Sequence, residues 1–253
     1  MRKLAAGNWK MNGTGEDLDE LRALIDACPA PNNTDIVICP PATLIWRMAR
    51  IAAGSSVAIG GQDCHAKTSG AHTGDIAAEM LRDAGADYVI VGHSERRTDH
   101  AETDIMVRAK VLAGLAERMT VILCIGETLE ERKAGRTLEV VGAQLAGSMP
   151  ASFAPEVRVG DALVIAYEPV WAIGTGLTPT AAEIAEVHAF IRARLVEAVP
   201  AHGARMRVLY GGSVKPGNAA EIFGLPHVNG ALVGGASLKA TDFARIVQAL
   251  AAA

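Results

Sequence analysis

The chain has 253 residues, half of them hydrophobic and only 4% aromatic, with a formal charge of -4, so it can build a large core and must build it from Ala, Val, Leu and Ile. That composition argues against a disordered chain, and the lack of clustered Lys and Arg argues against a nucleic-acid partner. No apolar run approaches the ~20 residues of a membrane helix, and Asn8, Trp9 and Lys10 interrupt the N-terminal apolar stretch before a signal-peptide core could form. Cys28, Cys39, Cys64 and Cys124 lie far apart without a CxxC pair, which suggests neither a zinc cage nor a disulfide framework. A soluble, reduced, cytoplasmic chain with no membrane partner is expected.

Short, continuously apolar runs recur along the whole length, at 4–7, 36–39, 57–60, 88–91, 121–125, 163–167, 208–210 and 231–233. Their lack of polar alternation says that both faces are covered, the mark of parallel strands with helices outside and a packed interior. The intervening stretches read as helices, most clearly over 17–28, 103–118, 137–148 and 180–199. The last has Thr178 or Thr180 as N-cap, with Glu183 placed for a capping box. Eight strands alternating with helices either close into a barrel or spread into an open sheet. Strand one is followed by Asn8-Trp9-Lys10-Met11-Asn12-Gly13 rather than a G-x-G-x-x-G turn, which favours the barrel. The expected fold is therefore α/β, a single (β/α)8 barrel domain over residues 1–253.

In such a barrel the chemistry gathers at the C-terminal ends of the strands. The polar residues found there are Asn8 and Lys10 after strand one, His93, Ser94 and Glu95 after strand four, and Glu168 after strand six. Gly211-Gly212-Ser213 and Gly234-Gly235 follow strands seven and eight. Singly, each has an ordinary explanation: a solvated lysine, a structural histidine, a strand-end Glu before Pro169, glycines in turns. Together at one mouth they supply a base, an electrophile, a charge stabiliser and an anion cradle, with no metal-ligand spacing.

Six blocks carry a resemblance: AAGNWKMNG (5–13), GHSERR (92–97), CIGETLEER (124–132), YEPVWAIGTG (167–176), YGGSVKP (210–216) and GALVGGASL (230–238). In this order they closely resemble the triosephosphate isomerase family, whose fold is the TIM barrel. The resemblance implies a cofactor-free isomerase of glycolysis and gluconeogenesis that interconverts dihydroxyacetone phosphate and D-glyceraldehyde 3-phosphate. It implies Glu168 as base, His93 as electrophile and proton shuttle, Asn8 and Lys10 as substrate contacts, and Glu95 as a supporting carboxylate. Phosphate contacts fall on Gly174, Ser213, Gly234 and Gly235, and no metal is expected. A start of helix at Ser94 to Arg96 would keep His93 neutral, and residues 169–176 would form a lid. The resemblance further implies a homodimer through the loop 62–75, with Thr73 at its tip.

Two readings compete with this one: another phosphate-binding barrel enzyme, such as a sugar-phosphate epimerase or lyase, and a non-catalytic barrel scaffold. Neither accounts for GHSERR, EPVWAIGTG and the full set Asn8, Lys10, His93 and Glu168 in one chain. Asn229 stands where many family members carry an acid, so a structural ion pair behind strand eight should be missing or replaced by a neutral hydrogen bond. His72 and Asp75 also depart from the family pattern, where an aromatic residue and Glu are common.

Overall fold

A computed structural model of the chain describes residues 1–29, 33–153, 159–173 and 177–253. The strands are β1 (Lys3–Asn8), β2 (Thr34–Cys39), β3 (Val57–Gly61), β4 (Tyr88–Val91), β5 (Thr120–Ile125), β6 (Leu163–Tyr167), β7 (Val208–Tyr210) and β8 (Gly230–Val233). They close into one barrel in sequence order. β8 pairs in parallel with β1, with Leu4 opposite Gly230 and Gly7 opposite Val233, so no sheet edge remains.

The unbroken apolar runs resolve into two faces. Leu4, Ala6, Val37, Cys39, Ile122, Cys124, Val164 and Ala166 fill the barrel interior. Ala5, Ile36, Ile38, Leu123 and Ile165 point outward into a second core shared with the helices. Alternation is present, but both destinations are dry, which is why it leaves no polar signal.

The four helices expected from periodicity form as Leu18–Ala27, Asp104–Ala116, Thr137–Ser148 and Ala181–Ala198. Thr180, rather than Thr178, caps the last: its hydroxyl accepts the Glu183 N–H at 3.3 Å while Glu183 Oε2 accepts the Thr180 N–H at 2.7 Å. The Ala-rich end forms the helix Ala240–Ala252, which buries Phe243, Ile246, Val247 and Leu250. All four cysteines are buried free thiols.

Asn229 behaves as its identity suggests. Its Oδ1 accepts from Arg192 Nη2 at 2.9 Å and from the Val208 N–H at 3.0 Å, a neutral acceptor where an acid would have made an ion pair. Arg192 is buried, and loss of water lowers its pKa.

The same helix carries His188, which is fully buried between Tyr167 and Tyr210 and contacts the His227 carbonyl through Nδ1 at 3.2 Å. Nε2 has no partner among the described residues. Burial pulls the pKa from 6.5 down to about 4. Because the folded pKa is the lower one, the unfolded chain binds the extra proton between these values, and stability falls as pH drops through that window. The expected loss is about 3 kcal/mol, at 1.36 kcal/mol per pKa unit. Denaturant unfolding of the parent and of His188→Gln between pH 7 and pH 4 should give a flatter profile for the variant; parallel profiles would exclude His188 as the cause.

Candidate active site

The strand ends open onto a cavity of about 310 Å³. Asn8, Lys10, His93, Glu168, Ser213, Gly234 and Gly235 all line it. Glu95 does not line it but reaches Lys10, and Gly174 lies outside the described residues.

Glu168 follows β6 with 1% of its surface exposed. Its Oε2 accepts the Ser94 N–H at 3.0 Å, and its Oε1 lies 2.9 Å from His93 Nε2. The backbone around it is tight: a Cβ on Gly126 would overlap the Glu168 carbonyl oxygen, and one on Gly211 would sit 2.9 Å from Glu168 Cγ. These two glycines let β5 and β7 close against the residue.

His93 is the N-cap of the helix Ser94–Asp99, and its Nδ1 accepts the Glu95 N–H at 3.2 Å. That bond places the ring proton on Nε2, where it donates to Glu168. Burial favours the neutral imidazole, but the neighbouring Glu168 carboxylate outweighs it and raises the His93 pKa in this arrangement. Burial pushes Glu168 up, yet His93, the Ser94 N–H and Lys10 together hold it below the usual carboxylate range. The start of the helix, through the Glu95 N–H on Nδ1, favours neutral His93 as expected, and Glu168 acts against it while it rests on the ring.

The helix is anchored by both arginines of GHSERR. Arg96 pairs with Glu102 at 2.7 Å and Asp63 at 3.0 Å, and Lys110 bridges the same two acids at 2.6 and 2.7 Å. Arg97 donates to the Gly92 carbonyl at 2.8 Å and to Asp104 at 2.7 Å.

Lys10 has a positive φ of 53°, uncommon for a side chain with a Cβ. Three contacts hold it there: its N–H donates to Asn8 Oδ1 at 2.9 Å, its carbonyl accepts from Gln62 Nε2 at 2.8 Å, and its ammonium pairs with Glu95 at 2.5 Å. Across the cavity, the backbone N–H groups of Ser213, Gly234 and Gly235 have no acceptor among the described residues.

Glu127 went unassigned from sequence although it lies in CIGETLEER. It is fully buried and accepts from Trp171 Nε1 at 2.9 Å and Tyr167 Oη at 3.2 Å. The Arg132 guanidinium lies 4.9 Å from the Trp171 ring centroid. Gln62 was read only as the start of a loop. Each stands one glycine beyond the end of an apolar run, Gly61 before Gln62 and Gly126 before Glu127, so a strand-end rule extended by one residue finds both.

Fold and site define a (β/α)8-barrel isomerase with a buried carboxylate–imidazole pair in a cavity at the strand ends. The profile of the triosephosphate isomerase family matches residues 3–250. The chain is 64% identical to the triosephosphate isomerase of Ruegeria sp. (strain TM1040) over 251 residues, 99% of each chain. It is 61% identical to that of Ruegeria pomeroyi over 98% of this chain and 97% of the relative. The crystal structure of triosephosphate isomerase from Bartonella henselae superposes with a TM-score of 0.91 at 48% identity, covering 98% of this chain and 99% of that one. The chain belongs to the triosephosphate isomerase family.

Because Glu168 is the group that raises His93, Glu168→Gln should lower the His93 pKa. Titration followed by ¹⁵N NMR of the imidazole nitrogens checks this, and an unchanged midpoint would remove the carboxylate as the cause.

Proposed function

We propose that the chain interconverts dihydroxyacetone phosphate and D-glyceraldehyde 3-phosphate through an enediol or enediolate, as one barrel domain over residues 1–253. The observation that carries this reading is the Glu168–His93 pair, which shares one cavity with Lys10 and with the N–H groups of Ser213, Gly234 and Gly235, unpaired among the described residues. To reach a substrate carbon, Glu168 must leave His93 and the Ser94 N–H. Burial then acts without those opposing bonds and makes the carboxylate a stronger base.

His93 simultaneously loses the anion that raised its pKa. With Nδ1 held by the Glu95 N–H, the neutral ring donates Nε2–H to the substrate carbonyl and carries the proton between the two oxygens, a tuning that the family itself exemplifies. Lys10 opposes the charge developing on that oxygen. Asn8 fixes the Lys10 backbone, and Glu95 aims the ammonium. The phosphate does not react; its binding to Ser213, Gly234 and Gly235, with Gly174 as the fourth contact, aligns the reacting carbons. Protons move but no net electrons do, so these side chains suffice without a cofactor or metal.

A coupled assay with dihydroxyacetone phosphate should show turnover by the parent. Glu168→Gln should lower kcat by at least ~10²-fold, the lower range for losing a positioned general base, with the fold retained by circular dichroism. No turnover by folded parent protein would sink the assignment, and near-parental kcat in the variant would remove Glu168 from its role.

The reading includes a homodimer formed through the loop 62–75, with Thr73 at its tip. Met11, Trp46 and Met80 support it: they follow β1, β2 and β3, and are 95%, 63% and 53% exposed, large apolar side chains of the kind a partner covers. Four buried free thiols suit a reducing, cytoplasmic setting. Specific activity should fall on dilution to nanomolar concentration as dimers dissociate, and monomers that stay fully active would contradict the dimer.

A further inference from the structure

Among the described residues, three side chains of fixed charge line the cavity: Lys10, Glu168 and Lys215. They are not equivalent. Lys10 is already compensated, its ammonium 2.5 Å from Glu95. Glu168 is held in its ionised form at the cavity wall, where its field opposes the approach of an anion. Lys215 has no carboxylate partner among the described residues.

The turn that presents Lys215 is built through its backbone. Asn218 Oδ1 accepts the Lys215 N–H at 2.8 Å, Asn218 Nδ2 donates to the Ser213 carbonyl at 3.0 Å, and the Asn218 N–H donates to the Lys215 carbonyl at 3.1 Å. This clamp also shapes the segment that carries Ser213, whose N–H has no acceptor among the described residues. The side chain of Lys215 takes no part in it and is exposed. Its charge is therefore not needed to hold the turn. On a chain of net charge -4, with an anionic base at the cavity wall, an uncompensated cation on the same wall offsets repulsion of a dianion.

We propose that Lys215 is a rim cation that captures the phosphate group of the substrate, setting affinity and encounter rate without joining the chemistry. This rests on the isomerase reading above. Because rim charges act mainly through association and are screened by salt, the effect belongs in kcat/KM at low ionic strength.

The test compares the parent, Lys215→Gln, Lys215→Glu and Lys215→Arg in the isomerase assay and in inhibition by inorganic phosphate, at about 10 mM and about 300 mM ionic strength. At low salt Lys215→Gln should lower kcat/KM about 3- to 10-fold, with charge reversal costing more, a modest rim-charge effect within the range of electrostatic steering. KM and the phosphate inhibition constant should rise together while kcat stays within about twofold, Lys215→Arg should match the parent, and the gap should close at high salt. A Lys215→Gln protein with parental kcat/KM and parental phosphate inhibition at low salt overturns the proposal and leaves the isomerase reading standing. A loss confined to kcat, or one insensitive to salt, overturns it as well. A folded parent that neither isomerises nor is bound by phosphate, followed by NMR, overturns both.

Discussion

The rest of the site depends on one hydrogen-bonded pair: a carboxylate withdrawn from water and satisfied by an imidazole N–H and a backbone N–H. An ionised Glu168 at 1% exposure would be costly without partners, and both of its partners come from the start of one helix, His93 and Ser94. The position of that helix relative to β6 therefore decides whether the base can be buried and ionised at once. The bonds that satisfy the carboxylate also lower its pKa. In the proposed reaction, where Glu168 is the base, its strength is released only when a substrate draws it away, which separates holding the base from using it.

This explains why so much of the surrounding structure serves to fix one short helix. Helix Ser94–Asp99 has six residues, too few to be stable alone. Arg96 and Arg97 tie it to β3's loop, to the helix Asp104–Ala116 and, through the Cys124 carbonyl, to β5. Lys110 lies between Asp63 and Glu102, so two cations and two acids balance within a largely dry layer. Removing one member would leave an uncompensated charge close to the helix. The strained Lys10 backbone is supported by the same logic: Asn8 and Gln62 hold a φ of 53° that lysine would not choose.

Much of this was legible in the sequence. Eight strands could be counted because both faces of each are apolar, and the strand-end rule found Asn8, Lys10, His93, Glu168 and the glycine turns that meet in the cavity. What could not be read has a physical reason. The bond between Glu168 and the Ser94 N–H joins residues 74 apart and is made by a backbone group that carries no residue signature. The positive φ of Lys10 is imposed by neighbours, against its own preference. Glu127 and Gln62 escaped because Gly126 and Gly61 obscure where strands five and three stop. The raised pKa of His93 follows from how close Glu168 rests, a distance that no spacing in the chain encodes.

Glu127 links this pair to the segment after β6. Its carboxylate accepts the Trp171 indole N–H, and its carbonyl accepts the Val170 N–H at 3.1 Å, while Arg132 covers the Trp171 ring. Pro169 and Val170 connect this anchor directly to Glu168. The Trp171 bond ties this segment to a buried carboxylate, and breaking it would leave Glu127 partly unsatisfied. The other Glu127 oxygen, Oε2, has no partner among the described residues, so the anchor is not as strong as a fully satisfied one. The resting state is therefore held, though not locked. In the proposed reaction the energy that tips it comes from the phosphate on Ser213, Gly234 and Gly235, across the cavity from the base, since a ligand shifts such an equilibrium only by its differential contacts with the two states. In that proposed reaction, binding at the non-reacting end of the substrate would act on the reacting end through the links the structure shows, Trp171 to Glu127 and, along Pro169, to Glu168.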